Sequence, residues 1–534
     1  MVTVHDYFHS SQQGAKGLFP SNYLEPSNRL ERARAASQRE LAPEVLVSLQ
    51  TQNKGSPTLE LLDGRPVAFA VTGQQLGLFG GPLFTLYKIA SAVKLAEQLT
   101  RETGITVLPL FWLQSEDHDY EEIRSASFFG RDGEIASTSL PETPAGRGGP
   151  VGKITITSEA AASLRAFLET TFSQRVPEER IAALSSIYGE GQTLSQAMAA
   201  LVKYCFGGTQ LLVLDAHTPG LKKLSRPLLL RFFKEHSHIE KLLEGRSAAL
   251  EARGLSITVP LRHGYPLPFL ELNGKRERVR KEEPGTFQTS TGPLSATALE
   301  ALDPLLITTS ALARPLFQDF LIPTAAYVAG STEFNYWAQL PELYDFFGIT
   351  MPLVVPRAHL TILPENRVRI LNEESLSLTD AHLPLGKLLA QKLEGSEDSS
   401  EHVFRGAEKH LSDMHGELQS NFTRTNSQAL KESLDVTTQS LRHNLEKLKG
   451  KYSRLLAERH TTFSQRVEKL QKILLPQGVP QERAICLAHY LLLEGTPFIE
   501  RLLSSLSFPF PPDVQLLTVS PEQKGLSESK GVSA

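Results

Sequence analysis

Apolar residues fall into short runs along the first part of this chain and into a helical stripe along the rest. RPVAFAVT (65–72) is short and mostly apolar, the pattern of a central parallel strand. The glycine-bearing segment GQQLGLFGG follows, and Pro82 then stands at a natural first helical position. Leu83, Leu86, Ile89, Ala90, Val93 and Ala96 lie at helical spacing, and Gly104 stops the helix. ITVLPLFWLQ (105–114) is a second buried strand. Strand, helix and strand form a βαβ unit, which places ligands beyond the carboxyl ends of its strands. The loops Thr72–Gly81 and Ser115–Glu122 are therefore expected to face each other at one sheet edge.

The pattern predicts an α/β core over 66–384, preceded by an N-terminal arm over 1–65. Two insertions interrupt the core. One, near 125–160, is rich in glycine and proline; the other, near 255–300, carries a hairpin turn at Asn273-Gly274. QLLVLDAH (210–217) and MPLVVPR (351–357) read as further strands, and Thr332–Phe347 as a helix. From 385 to 475 the character changes. Leu441, Leu445, Leu448, Tyr452 and Leu455 step by four and three, and Phe463, Val467 and Leu470 continue the stripe after one stutter. This predicts an α-helical coiled coil, either a hairpin within one chain or an arm that pairs two chains. Residues 476–510 read as a helical segment closing on the core, and 511–534 as a tail whose last stretch, SPEQKGLSESKGVSA, is disordered.

Composition narrows the function. A net charge of -4 over 534 residues gives no reason to expect nucleic acid or an anionic membrane as partner. No apolar run reaches the ~18 residues of a membrane span, and the N-terminus lacks the pattern of a secretory leader. The expected compartment is the cytoplasm. Two cysteines, Cys205 and Cys486, exclude a disulfide framework and a cysteine-rich metal centre, and both sit among apolar residues.

The candidate chemistry lies at the expected sheet edge. Gly73, Gly77, Gly80 and Gly81 let backbone amides approach an anion from a helix N-terminus, with Thr72, Gln74 and Gln75 beside them. The spacing matches neither a dinucleotide fingerprint nor a phosphate loop, whose lysine is missing from the turn. SEDHDYEE gathers Glu116, Asp117, His118, Asp119, Glu121 and Glu122. Carboxylates beside a histidine suit general base chemistry, Mg2+ or an ammonium group. Arg314, Gln318, Glu333, Asn335, Tyr336 and Arg357 interrupt apolar core segments, and buried charges need partners, so some of them should meet in a central cleft. Asp215 and His217 read as a helix cap, His263 as structural, and NGKRERVRK as a solvated basic hairpin tip. No metal-ligand set is assigned. The motifs of serine hydrolases (G-x-S-x-G) and zincins (H-E-x-x-H) are absent.

TGQQLGLFGGPLFTLYK, FWLQSEDHDYEE, RPLFQDFLIPTAAYVAG, YWAQLPELYDFFGITMPLVVPR and GVPQERAICLAHYLLLEGTPFIERLL stand in order along the chain. Together they resemble the bacillithiol-biosynthesis cysteine-adding enzyme family, BshC. The resemblance implies a Rossmann-like core related to class I nucleotidyltransferases, two connecting insertions, and a coiled coil that pairs two chains as a homodimer. It implies a ligase that joins cysteine to glucosaminyl malate. Activation of the cysteine carboxyl by ATP with Mg2+, as an acyl-adenylate, is the simplest route. On this expectation Asp117, His118 and Asp119 bind the amine, move its proton or hold Mg2+. Thr72, Gly73, Gln74, Gln75, Gly80 and Gly81 hold an anionic group, and Arg314 or Arg357 grips a carboxylate, with Gln318, Glu333 and Tyr336 nearby. The HIGH and KMSKS signatures of class I tRNA synthetases are absent. The rival readings are a nucleotidyltransferase or hydrolase with another substrate, and a non-enzymatic coiled-coil scaffold.

Overall fold

Five short apolar segments pair side by side in one all-parallel sheet. They are β1 (Val67–Gln75), β2 (Thr106–Gln114), β3 (Leu212–Asp215), β4 (Thr324–Ala329) and β5 (Leu353–Pro356). The computed structural model describes residues 3–6, 17–143, 148–282, 285–393, 400–424 and 427–519. Nearly every sheet residue is buried, which is why these strands read as continuous apolar runs rather than alternating ones. The strand order is β3-β2-β1-β4-β5. The chain thus builds outward from β1 in one direction and returns to build the other way from β4, leaving a switch point between β1 and β4.

β1 and β2 stay in register from Val67 opposite Thr106 to Gln75 opposite Gln114. Thr72–Gln75, expected in a loop, are therefore the last rungs of β1. Helix α1 (Leu83–Thr103) follows, with Pro82 as its N-cap and Gly104 in the left-handed region at its end. The arm folds as helices Pro26–Ser37 and Pro43–Gln52, and Arg29 Nε donates to Glu102 Oε2 at 2.6 Å. Ser125–Phe129 and Ile135–Ser139 form a hairpin in the first insertion.

Helix α2 (His236–Glu251) precedes the second insertion, where Phe269–Leu272 pairs with Lys275–Glu277. Asn273 and Gly274 join them with φ of +52° and +72°, the two positive angles of a type I′ turn. Helix α3 (Arg314–Leu321) leads into β4. The single helix expected over Thr332–Phe347 is two, α4 (Ser331–Trp337) and α5 (Pro341–Phe347). Pro341 has no N–H to continue the first helix and instead opens the second.

The described residues up to Thr361, with Glu482–Leu517, form one compact unit, and Ile362–Gln481 form another. Residues 362–384, expected with the sheet, thus belong to the second unit. In that unit α6 (Ser400–Arg424) and α7 (Gln428–Arg459) run antiparallel as a hairpin within one chain. Phe404 meets Tyr452, Lys449 pairs with Glu408 at 3.0 Å, and His415 meets Asp435 at 3.0 Å. At its base Leu388, Leu389, Phe463 and Val467 form a small apolar core. Gln515–Val519, expected in the tail, is a strand, and SPEQKGLSESKGVSA lies outside the described residues. Among the described residues no helix is long and apolar enough to cross a membrane.

Candidate active site

The carboxyl ends of β1 and β4 meet at the switch point, and a cleft of about 520 Å3 opens there. Its floor is a charged cluster. Lys88 reaches back from the second turn of α1, where its ammonium group donates to Gly73 O, to Gln74 Oε1 at 3.1 Å and to Glu333 Oε2 at 2.5 Å. Glu333, on α4, also accepts from Gly330 N at 2.9 Å and Tyr327 Oη at 2.8 Å. Arg314 lies 3.8 Å from the same carboxylate and donates to Tyr336 Oη at 3.0 Å. Burial alone would raise the Glu333 carboxyl, but the charges of Lys88 and Arg314 outweigh it and hold its pKa below the ordinary value. The lysine missing from the glycine turn is thus present in the following helix, committed to the switch point.

The loop after β2 forms the second part. Gln75 Nε2 donates to Asp117 Oδ2 at 2.8 Å and to Glu122 Oε2 at 2.9 Å, so the two carboxylates share one amide. Arg276, from the hairpin, donates to Asp117 Oδ1 at 3.1 Å, Thr308 Oγ1 at 2.8 Å and Thr309 O at 2.6 Å. Its guanidinium carbon lies 4.0 Å from the Phe269 ring centroid. Burial would raise the Asp117 carboxyl, but hydrogen bonding with His118, the Arg276 charge and the Gln75 amide hold it well below the usual range. His118 Nδ1 is 3.2 Å from Asp117 Oδ1 and 2.9 Å from Arg276 Nη1, which commits that nitrogen to the cluster. Glu116 is buried behind them, paired with Lys222 at 2.5 Å. Burial would raise its carboxyl, yet Lys222 and Thr309 lower it to about 2. It anchors the loop and does not line the cleft.

Seven cationic side chains and four carboxylates line the cleft. Among the described residues Arg262, Arg278 and Arg483 have no carboxylate within ion-pair distance; Arg278 stacks 4.4 Å from the Phe269 centroid, opposite in chemistry to a solvated tip. Arg357 forms a two-pronged pair with Glu482 at 2.8 and 2.7 Å, so its fork is occupied. Burial would raise Glu482, but His359 and Arg357 bring it down to about 2. The buried Nε of Arg357 keeps a donor with no partner among the described residues. The arginines can take carboxylates or phosphates, and Asp117 with Glu122 can take an ammonium group or a cation.

Gly73, Gln74, Gln75, Asp117, Arg314, Glu333, Tyr336 and Arg357 all line this one cleft. Thr72, Gly80, Gly81, Gln318, His118 and Asp119 do not. Thr72 Oγ1 donates to Val328 O at 2.9 Å inside the sheet. Gln318 is buried and holds Arg314 through a 3.0 Å hydrogen bond. Asp119 is exposed and caps the short turn Tyr120–Ile123, accepting from Glu122 N at 3.1 Å. The anion cradle expected at Gly80 and Gly81 is closed by the chain itself. Gly80 N donates to Tyr188 Oη at 3.2 Å, Gly81 N to Leu78 O at 3.1 Å and Leu83 N to Ile485 O at 2.8 Å. Gly80 has φ +88°, and a Cβ there would sit 2.8 Å from Leu487 Cβ. Packing and the positive φ thus require glycine at position 80. Asp215 accepts from Ser115 Oγ and Ser195 Oγ, both at 2.5 Å, away from the cleft.

Sequence reasoning missed Lys88, Arg262, Arg276, Arg278 and Arg483 as site residues. Two signals were available. Lys88 is a lone charge in the apolar stretch LFTLYKIASAV, where a lysine is buried only with a partner. Arg276 and Arg278 are two apart on an extended segment and so share a face.

A doubly wound parallel sheet with a charged cleft at its switch point, joined to a helical hairpin unit, defines a Rossmann-like protein with a coiled-coil domain. Residues 2–358 match the family model described as "Bacillithiol biosynthesis BshC, N-terminal Rossmann-like domain", and residues 360–518 match "Bacillithiol biosynthesis BshC, C-terminal coiled-coil domain". The chain belongs to the BshC family of bacillithiol biosynthesis. Relatives named "Putative cysteine ligase BshC" include one from Solibacter usitatus, 29% identical over 501 residues and covering 91% of this chain and 92% of its own. One from Bacillus cytotoxicus is 27% identical over 472 residues, covering 85% of each chain. One from Chloroherpeton thalassium is 29% identical over 519 residues, covering 91% and 90%.

Proposed function

We propose that this protein joins the carboxyl group of cysteine to the amine of glucosaminyl malate, forming an amide, and acts in the cytoplasm. The observation that carries this reading is the composition of one cleft: an excess of arginines beside the shared carboxylates Asp117 and Glu122. The acceptor substrate carries the matching groups, two carboxylates and one amine. Arg262 and Arg278 hold the carboxylates. Asp117 and Glu122 bind the amine as its ammonium form. Glu122, whose carboxylate lines the cleft, takes the proton that must leave before the amine attacks. The C–N bond then forms as the carboxyl oxygen departs.

A free carboxylate does not condense with an amine in water, so the carboxyl must first be activated. The arginines without carboxylate partners fit a polyphosphate, and Arg483 with the spare Nε of Arg357 would hold it. ATP, when bound with Mg2+, supplies that activation. Purified protein incubated with glucosaminyl malate and cysteine, with and without ATP and Mg2+, tests the reading by mass spectrometry. The expected result is the bacillithiol mass only with ATP, together with AMP. Absence of product in every mixture, from protein shown to be folded, overturns it.

We further propose that the chain is a homodimer through its coiled coil. Leu441, Leu448 and Leu455 repeat every seven residues on α7 and remain 42%, 54% and 45% exposed beside α6. That is a seam left open by the hairpin, suited to a second copy. Substituting all three with glutamate is expected to give monomers by light scattering at micromolar concentration. Identical masses for the variant and the parent protein would defeat the assignment.

A further inference from the structure

Outside the reaction groups, one cluster on the wall of the cleft has no role in the chemistry above. α2 carries His236, Glu240 and Glu244 at successive steps of four, on one helix face. The following loop brings His263 against them. His263 Nδ1 lies 2.9 Å from Glu244 Oε1 and 3.4 Å from Glu240 Oε1. One ligand atom from each of these three residues falls within 4.8 Å of the others. His236 supplies an independent observation. It is 4% exposed, its Nε2 has no hydrogen-bond partner among the described residues, and that atom points at the cluster, 3.6 Å from Glu240 Oε2. A buried polar nitrogen left without a hydrogen bond is costly and calls for a partner.

The spacings fit a metal ion. Bonds of about 2.0–2.1 Å around a tetrahedral centre leave ligand atoms about 3.3 Å apart. His263 Nδ1 stands 2.9 and 3.4 Å from the two carboxylates, while His236 Nε2 is 3.6 Å from the other Glu240 oxygen and lies outside the three-residue group, so it completes the set by a small turn of its ring. Two imidazoles with two carboxylates form a donor set for zinc-like ions, whereas Mg2+ and Ca2+ favour oxygen throughout. Gly264 N donates to Glu240 Oε1 at 2.9 Å and fixes that carboxylate.

We propose that His236, Glu240, Glu244 and His263 bind one divalent, zinc-type metal ion. Four protein ligands make a closed site, whose task is structural. It fastens the loop that carries Arg262 and Tyr265, both lining the cleft, onto α2. The inference does not depend on which reaction the cleft performs.

The test uses the full chain stripped by a chelator and dialysed. Zn2+ is titrated by calorimetry, and Co2+ by its visible absorbance. The expected result is one ion per chain with the absorption of tetrahedral Co2+, and a Zn2+-dependent rise in Tm. His263→Ala and Glu244→Gln each alter a solvent-accessible side chain, so both variants should fold, which circular dichroism checks. Each is expected to weaken binding about 100-fold and to abolish the rise in Tm. No binding by the parent protein overturns the proposal, and so does binding that both substitutions leave unchanged.

Discussion

Arg276→Ala is expected to lower kcat/KM for the ligation by about 10²–10⁴-fold while the chain stays folded. The size follows from the surroundings. The Arg276 side chain is only 5% exposed and sits 3.1 Å from Asp117. Removing one member of a buried charge pair costs about 3–5 kcal/mol, because the other is left uncompensated. Asp117 would keep the Gln75 amide and the His118 backbone N–H, at 2.8 Å each, but no cation. The direction with pH is fixed by the same contact. Arg276 helps hold the Asp117 pKa down, so its loss raises that pKa, and the acid side of the pH–rate profile moves upward. The variant is therefore hurt most at the acid end of the range. Arg276→Lys keeps the charge but loses the fork to Asp117, Thr308 and Thr309, and should fall between. Combined with Asp117→Asn, the loss should be smaller than the sum of the single losses, since both act through one pair. Steady-state kinetics on the folded variant decides the matter. A wild-type kcat/KM across the pH range would remove Arg276 from the site.

How much of this site was legible depends on what each residue needed from afar. The strand cores were plain, because a sheet buried on both faces leaves continuous apolar runs such as VLPLFWL in β2. The end of β1 was hidden. Gly73, Gln74 and Gln75 are polar or small because they border the cleft, yet they still pair with Trp112, Leu113 and Gln114. The carboxyl ends of such strands look like loops for the reason that makes them useful. The glycine turn misled in the opposite sense. Its spacing suggested an anion cradle, but its partners are Tyr188 and residues 485–487, far along the chain. The same distance concealed Arg357: its partner Glu482 lies 125 positions away, and nothing local marks the guanidinium as occupied. In NGKRERVRK only Val279 is apolar, too little alternation to separate the face that carries Arg276 and Arg278 from the solvent face.

Lys88→Met should give the largest loss of stability, about 3–5 kcal/mol, or on the order of 10 °C in Tm for the Rossmann-like unit. Lys88 is 1% exposed and gives its three hydrogen bonds to Gly73 O, Gln74 Oε1 and Glu333 Oε2. Methionine fills similar volume, so the loss is electrostatic rather than a cavity. Glu333 would retain Tyr327, Gly330 and the more distant Arg314. The pH dependence carries the sign. Glu333 has a folded pKa below its ordinary 4.5, so its contribution is full above about pH 4.5 and is lost as pH falls through the folded value. Without Lys88 that folded pKa rises toward the ordinary one, and the acid limb of the stability curve flattens. Removing the matching charge as well, in Lys88→Met/Glu333→Gln, should recover part of the loss, because a neutral pair leaves no charge unpaired. Thermal unfolding of the parent protein and the two variants between pH 4 and pH 8 measures all of this. If the single variant melts with the parent protein, or the double variant melts no higher than the single one, Lys88 and Glu333 do not hold the switch point together. The cleft floor would then rest on packing alone, and Arg314 would need another account of why its charge is tolerated inside.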